Sequence, residues 1–233
     1  ASAGGSHTCA TKTDGTLWCW GAGGYLGIGV SSGNYGTPQQ ENSSSTNWAK
    51  VSASAQHTCA IKTNGTLWCW GFNLDGQLGT GATSGGKTTP QQEVTAATNW
   101  SNITTSHEVS CATKTDGTLW CFGEDDDEQM GNGAVSGDQP TPTQVGTDTD
   151  WSDTLSASDT HVCALKTNGE MWCWGASQWG QTGAGNSSGY IDTPIQEYTN
   201  ATDWLTLSSS APYKGGVTCG IKNDSSLHCW GGP

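Results

Sequence analysis

Five times along the chain a cysteine is followed, ten residues later, by a second one, and no cysteine lies outside these pairs: Cys9 with Cys19, Cys59 with Cys69, Cys111 with Cys121, Cys163 with Cys173 and Cys219 with Cys229. Each pair sits in a fifteen-residue stretch whose clearest copy, 57–71, is H-T-C-A-I-K-T-N-G-T-L-W-C-W-G; the others are 7–21, 109–123, 161–175 and 217–231. Repetition at this period marks a solenoid, a propeller or an array. At the centre of four copies stands Asp-Gly or Asn-Gly, at Gly15, Gly65, Gly117 and Gly169. This is the strongest local hairpin cue, because glycine accepts a positive φ. Two registers are open. A two-residue turn places Cys59 opposite Trp70. A three-residue loop of Thr63, Asn64 and Gly65 places Lys62 opposite Thr66 and Cys59 opposite Cys69. That second rung is not hydrogen-bonded, so its Cα atoms come within about 4.5 Å, close enough for a disulfide. Only this register explains the constant spacing, and it predicts five disulfides joined in sequence order. The fifth turn, Asn223-Asp224-Ser225, lacks glycine and is expected to be the least favourable.

Between the hairpins the chain repeats three further features. A glycine-rich tract follows at 24–29, 76–81, 128–133 and 180–185. Then comes Thr-Pro, at Pro38, Pro90, Pro142 and Pro194, where the missing N–H suits an outer strand. Last comes a tryptophan, Trp48, Trp100, Trp151 or Trp204, opening a short run into the next cysteine. Each unit thus holds about four short strands. The first cysteines are spaced 50, 52, 52 and 56 residues apart. The fold expected is all-β: one β-propeller domain over 1–233, built from five repeats of about 50 residues with four short antiparallel strands per blade.

The run W…V-S-A…H-T-C-A-I-K-T-N-G-T-L-W-C-W-G-F-N-L-D-G-Q-L-G-T-G…T-P resembles the regulator of chromosome condensation repeat family over essentially the whole chain. The G-Q-L-G-T-G block at 76–81 is its most specific element. The resemblance implies a propeller of four-stranded blades, each sequence repeat being split across two. The family includes a chromatin-bound nucleotide-exchange factor, a secreted inhibitor of β-lactamases and extracellular binding modules. Two features depart from it. Its rings usually carry seven blades, whereas this chain has five hairpins and four Thr-Pro-to-Trp segments. The cysteine pairs are not general to it, and they point to an oxidising, extracellular compartment. Nucleotide exchange is not implied, since the loops and basic tail that carry it have no match here.

Composition narrows the partners. With 21 acidic residues against 8 lysines and no arginine, the formal charge is −13. A phosphate-backbone binder needs a basic face, so nucleic acid and anionic membrane surfaces are excluded as main partners. No run of 18 apolar residues is present for membrane insertion. The chain opens without an initiator methionine, as a processed chain or fragment does.

Few residues suggest chemistry. The tryptophans flanking the second cysteines (Trp18 and Trp20, Trp68 and Trp70, Trp172 and Trp174) are expected in the core between blades. Trp179 differs: it stands in a loop where other copies have Gly23, Asp75 or Asp127. With Tyr25, Tyr35 and Tyr190, and also Tyr213, it forms the candidate ligand-binding set, because off-pattern loop residues are where function concentrates. Glu124, Asp125, Asp126, Asp127 and Glu128 form an acidic run found in one copy only. It is the candidate calcium site, without EF-hand spacing, against the competing reading of a solvated acidic loop. His7, His57 and His161 precede cysteines by two residues, but a structural zinc wants four ligands, and Val109 and Val217 take the same place. These histidines are expected to pack and hydrogen-bond beneath the neighbouring loop. Sequons occur at Asn42, Asn64, Asn99, Asn102, Asn186, Asn200 and Asn223. No set of acid, base and nucleophile converges, so the chain reads as a non-enzyme with no required cofactor. The expected role is binding or assembly, as a component of a fibre, coat or adhesion structure partnered by other protein subunits. The alternatives are a lectin-like module that binds glycans and an inhibitor-type propeller. Five hairpins with four return segments lead to the expectation that the protein does not act as a closed monomeric ring.

Overall fold

The computed structural model describes residues 1–133, 137–185, 189–210 and 215–232; Tyr213 and the Asn186 sequon fall outside them. Every Cys-x9-Cys stretch is an antiparallel hairpin: β2 (His7–Thr11) with β3 (Leu17–Ala22), β6 (His57–Lys62) with β7 (Leu67–Gly71), β10 (Val109–Lys114) with β11 (Leu119–Gly123), β14 (His161–Lys166) with β15 (Met171–Ala176), and β18 (Gly216–Lys222) with β19 (Leu227–Gly232). The three-residue loop is the one formed. Lys62 N donates to Thr66 O at 3.0 Å, Gly65 N donates to Lys62 O at 2.9 Å, and Cys59 faces Cys69. The same rung recurs in every hairpin. Disulfides join Cys9 to Cys19, Cys59 to Cys69, Cys111 to Cys121, Cys163 to Cys173 and Cys219 to Cys229, each with its Cα atoms 4.1 Å apart. Every bond is therefore internal to one sheet, and none links one repeat to another.

The rest of the turn motif has a local cause. Asn64 Oδ1 accepts from Thr66 N at 3.2 Å and from Thr66 Oγ1 at 2.8 Å, and Thr66 Oγ1 in turn accepts from Trp68 Nε1 at 2.9 Å. The first and third turns repeat this arrangement. Gly65 adopts φ +75°, and a Cβ there would lie 2.2 Å from Thr98 O, so only glycine fits. The close approach arises because the hairpin tip is tied to the start of the next unit: Gly65 O accepts from Trp100 N at 3.0 Å. In the fifth turn the left-handed residue is Ser225, at φ 68°, and not the Asn or Asp that would tolerate it better.

Four sheets have four strands. They are β1 (Ser2–Ala3), β2, β3 and β4 (Asn34–Gln40); β5 (Trp48–Ala53), β6, β7 and β8 (Lys87–Gln92); β9 (Trp100–Thr105), β10, β11 and β12 (Gln139–Gln144); and β13 (Trp151–Ala157), β14, β15 and β16 (Tyr190–Gln196). The fifth has three, β17 (Trp204–Ser210), β18 and β19. The expected four-stranded blade therefore holds for four sheets, and among the described residues the fifth has no outer strand. The innermost strands pack in turn, β1 on β5, β5 on β9, β9 on β13 and β13 on β17. Ala3, Ala53, Thr105, Ala157 and Ser209 line one shared central depression. This is the arrangement of propeller blades about an axis.

One device joins three of the outer strands to the next inner strand. Glu93 is buried, and its carboxylate accepts from Thr95 N at 2.6 Å, Ala97 N at 2.9 Å and Trp100 Nε1 at 3.2 Å. Glu41 serves Ser43, Ser45 and Trp48 in the same way, and Glu197 serves Thr199, Ala201 and Trp204. The third unit has Val145 at this position, and Trp151 Nε1 is buried without a partner. Each of these tryptophans except Trp151 thereby satisfies its indole N–H while filling the seam between two sheets.

Candidate binding site

The two faces of each sheet are not alike. The forward face carries the disulfide and packs onto the back face of the next sheet. Cys9, Leu17, Cys19 and Leu26 of the first sheet meet Trp48, Ala60 and Trp70 of the second in one cluster. In the third sheet Cys111, Leu119, Cys121 and Met130 meet Trp151, Ala164 and Trp174 in the same way. The glycine tract serves this seam: Gly27, at φ +75°, lies flat against Trp70, and a Cβ would come 2.9 Å from its Nε1. Trp70 Nε1 donates to Tyr25 O at 2.9 Å, and Trp174 Nε1 repeats the bond to Gln129 O at 2.8 Å.

The histidines lie in these seams, where each bonds a hydroxyl of the neighbouring sheet, while loop residues such as Tyr25 pack over His7. His7 Nε2 meets Thr58 Oγ1 at 2.6 Å, His57 Nε2 meets Ser110 Oγ at 2.8 Å, and His161 Nε2 meets Thr218 Oγ1 at 2.8 Å. Where the first residue is Val109, the residue across the seam is Val162, and both are buried in one cluster. A pairing rule follows: histidine takes a hydroxyl, valine takes valine. Burial holds the imidazoles neutral, with pKa values of about 4 for His7, about 3 for His57 and about 4 for His161.

The forward face of the fifth sheet, which carries Cys219 and Cys229, has no sheet upon it among the described residues. Val217, Ile221 and Leu227 are 40%, 37% and 66% exposed, whereas Val109 and Leu119 at matching positions of the third sheet are fully covered. The reciprocal face, on the first sheet, is half-exposed at Thr8, Ala10 and Trp20, while Thr58, Ala60 and Trp70 are buried.

A second feature lies at the rim. Trp179 and Tyr190 are 51% and 46% exposed and line one cavity of 420 Å³ with Asp127, Thr160 and Gln178. The third, fourth and fifth units meet here, Gly215 closing one side. The loop scaffolding is general: Gln77 Oε1 accepts from Asp75 N at 3.1 Å, Gln129 Oε1 from Asp127 N at 2.7 Å and Gln181 Oε1 from Trp179 N at 2.9 Å. Trp179 is thus an indole placed where two other units put a carboxylate. The other two sequence candidates lie elsewhere. Tyr25 packs on His7 with ring centroids 5.6 Å apart and offers its carbonyl to the seam, and Tyr35 packs against the first cluster.

The residues of the acidic run, the candidate calcium site of the sequence, have separate local partners. Asp125 is buried and accepts from Met130 N at 3.0 Å, the role Asn73 plays for Leu78. Asp126 is exposed. Asp127 is hydrogen-bonded to Tyr190, and Glu128 occupies a left-handed position at φ 59°. Glu124 accepts from Gln129 Nε2 at 3.2 Å, and burial, followed by its hydrogen bond with Glu108, raises its pKa to about 8. Among the described residues no three histidines, cysteines or acids come together in a metal-binding group.

Five sheets stacked forward face to back face around a shared depression define a β-propeller-type repeat protein. The profile of the regulator of chromosome condensation (RCC1) repeat matches residues 14–61, 64–112 and 116–165, more than half of the chain, and a second profile of that repeat matches 1–25, 48–77 and 153–181. The chain belongs to the regulator of chromosome condensation repeat family. Its fold is similar to that of human WBSCR16, with a TM-score of 0.80, 16% identity, and coverage of 98% of this chain and 60% of that one. It is also similar to a chain in the complex of Kap60 with yeast RCC1 (Prp20), with a TM-score of 0.82, 15% identity, and coverage of 97% and 54%. Prp20p from Saccharomyces cerevisiae, described with its binding to Gsp1p and histones, gives a TM-score of 0.63 at 15% identity, covering 98% and 67%. The chain therefore spans 60% and 54% of the length of the first two relatives.

Proposed function

We propose that this chain is a non-catalytic module that works outside the cell by binding and assembly. In this reading a second copy docks the Thr8, Ala10 and Trp20 face of its first sheet on the uncovered face of the fifth sheet. The exposure of Val217, Ile221 and Leu227, where matching positions are closed within the chain, is the observation that carries it. Each internal seam gives a template for the contact, a disulfide-bearing face against a tryptophan-bearing one. The unpaired outer edge of β19 adds a row of backbone groups that another chain can satisfy. A head-to-tail contact of this type is heterologous and builds a filament unless the rotation closes. Five disulfides support an oxidising compartment. Binding to other proteins is also what the yeast propellers do, with Kap60, Gsp1p and histones.

The pairing rule makes the reading testable. Docking sets Val217 against Thr8, a valine against a hydroxyl, so Thr8→Val should strengthen association and Leu227→Asp should abolish it. Sedimentation and electron microscopy of native full-length material provide the measurement. Further repeats of the same polypeptide compete for this face. If they hold it, the native particle is a monodisperse monomer at high concentration and Thr8→Val changes nothing, which would overturn the assembly reading in favour of a soluble lectin-like or inhibitor-type propeller.

A further inference from the structure

We infer that the cavity between Trp179 and Tyr190 is a carbohydrate site that takes one pyranose ring, neutral or amino-substituted, and rejects acidic sugars. The inference is independent of the assembly reading.

Two large aromatics half-exposed in one concavity are costly to leave in water, and nothing in the seam packing requires them there. The scaffold places Asp75 and Asp127 at the position of Trp179 in other units, so the indole does not hold the loop in shape. An aromatic face in a cavity of this volume suits a ligand that is flat and apolar on one side. A pyranose has such a face in its axial C–H groups, and a rim of hydroxyls. The polar groups around the indole match that rim. Asp127 is fixed by the Tyr190 phenol and keeps further acceptor lone pairs for a pair of sugar hydroxyls. Gln178 brings an amide. Thr160 lines the cavity, and its Oγ1 is buried without a hydrogen-bond partner, a hydroxyl that a small rotation would offer to a ligand hydroxyl or a bridging water.

Charge decides among sugars. Asp127 lies beside Asp126, both lie near Glu108 and a largely protonated Glu124, and Glu128 faces Asp192. A uronate or sialate would enter a field of its own sign, while a protonated amino sugar would enter one of the opposite sign. A free alkylammonium ion would share that attraction, but it would use neither the Thr160 hydroxyl nor the Gln178 amide.

The test is saturation-transfer NMR on the folded protein with glucose, galactose, mannose, glucosamine and glucuronate, with tetramethylammonium as the competing probe, and tryptophan fluorescence as a second readout. The expected result is affinity on the order of millimolar for at least one neutral hexose, as befits a ligand of about a dozen heavy atoms. Glucosamine should bind at least as well, and glucuronate should not bind. Trp179→Ala should weaken binding about tenfold or more, and Thr160→Val several-fold, with melting temperatures unchanged. The site is refuted if no sugar gives transfer, if the best sugar binds Trp179→Ala as well as the parent, or if tetramethylammonium binds and sugars do not.

Discussion

The buried seam histidines should make this protein acid-labile well above the range where carboxylates titrate. His161 keeps its imidazole neutral down to a pH of about 4, against 6.5 for the exposed side chain, because burial disfavours the cation. In the unfolded chain it takes up a proton below 6.5. Between pH 6.5 and 4 the unfolded state therefore binds more protons, and stability rises with pH. The contribution is complete above pH 6.5 and is lost as the pH falls. At about 1.4 kcal/mol per pH unit, the drop from 6.5 to about 4 is worth at most about 3 kcal/mol for His161. His7 falls equally far and His57 further, to about 3, because it is fully buried and the nearby His7 and His107 add to the cost of its charge. Three such groups together rival the total stability of an ordinary domain, about 5–15 kcal/mol.

The chain supplies its own control, since the Val109–Val162 seam does the same job without a titrating group. His161→Val with Thr218→Val transplants that pair. Gln181 O, which accepts from Thr218 Oγ1 at 2.8 Å, keeps its second donor, Trp230 Nε1 at 3.1 Å. Denaturant unfolding of parent and double variant, disulfides intact, at half-unit steps from pH 4 to 8 provides the assay. Expected are a small change at pH 7 and a relative gain for the variant that grows to about 2–3 kcal/mol by pH 4. Parallel pH profiles for the two proteins would refute the reasoning.

Three further outcomes are expected. Glu124 titrates at about 8 in the folded state, above the ordinary 4.5, so stability should fall as pH rises between those values, and Glu124→Gln should raise the melting temperature at pH 8 more than at pH 5. Glu93→Val strips Trp100 Nε1 and two backbone N–H groups of a charged acceptor and should cost about 3 kcal/mol by denaturant unfolding, with most of the loss recovered in Glu93→Gln. Ser225→Gly relieves a left-handed serine and should stabilise by about 1 kcal/mol, measured as a shift of the denaturation midpoint.

What could be foreseen divides along the range of the interactions. The hairpin register, the disulfide pairing and the all-β repeat follow from spacing within fifteen residues, where turn geometry and a period of two leave little choice. The outer strands were legible from Thr-Pro for the same reason. The seams were harder. That His57 would meet Ser110, or Gly27 the ring of Trp70, depends on residues about fifty apart brought together by stacking, and only comparison of whole repeats could have revealed it. The role of Glu41, Glu93 and Glu197 was missed, although a glutamate seven residues before each tryptophan was a visible signal. In the candidate cavity the off-pattern residues Trp179 and Tyr190 do converge, but Tyr25 and Tyr35 were drawn into the first seam by His7 and Gly23, and no spacing rule separates the two pairs.

The third unit shows why these features belong together. It has Val109 where the first, second and fourth sheets have histidine, and Val145 where the first, second and fourth units have glutamate. The preceding unit meets it through Phe122, where other seams have an indole. Each change removes a hydrogen bond and substitutes apolar contact, and the largest buried cluster lies on its forward face, from Val109 through Trp151 and Val162 to Trp174. The exchange is incomplete, because Trp151 keeps an indole N–H that nothing accepts. The same unit carries the acidic run on its rim. A seam held by apolar contact contains no ionisable group for those carboxylates to perturb, whereas a buried neutral imidazole beside Glu108 would be pulled toward its cation. Valine at position 109 therefore lets a concentrated negative rim sit above a seam without coupling the two, and it is at this rim that Asp127 faces Trp179 and Tyr190. The apolar seam below and the charged rim above therefore sit together without titrating one another.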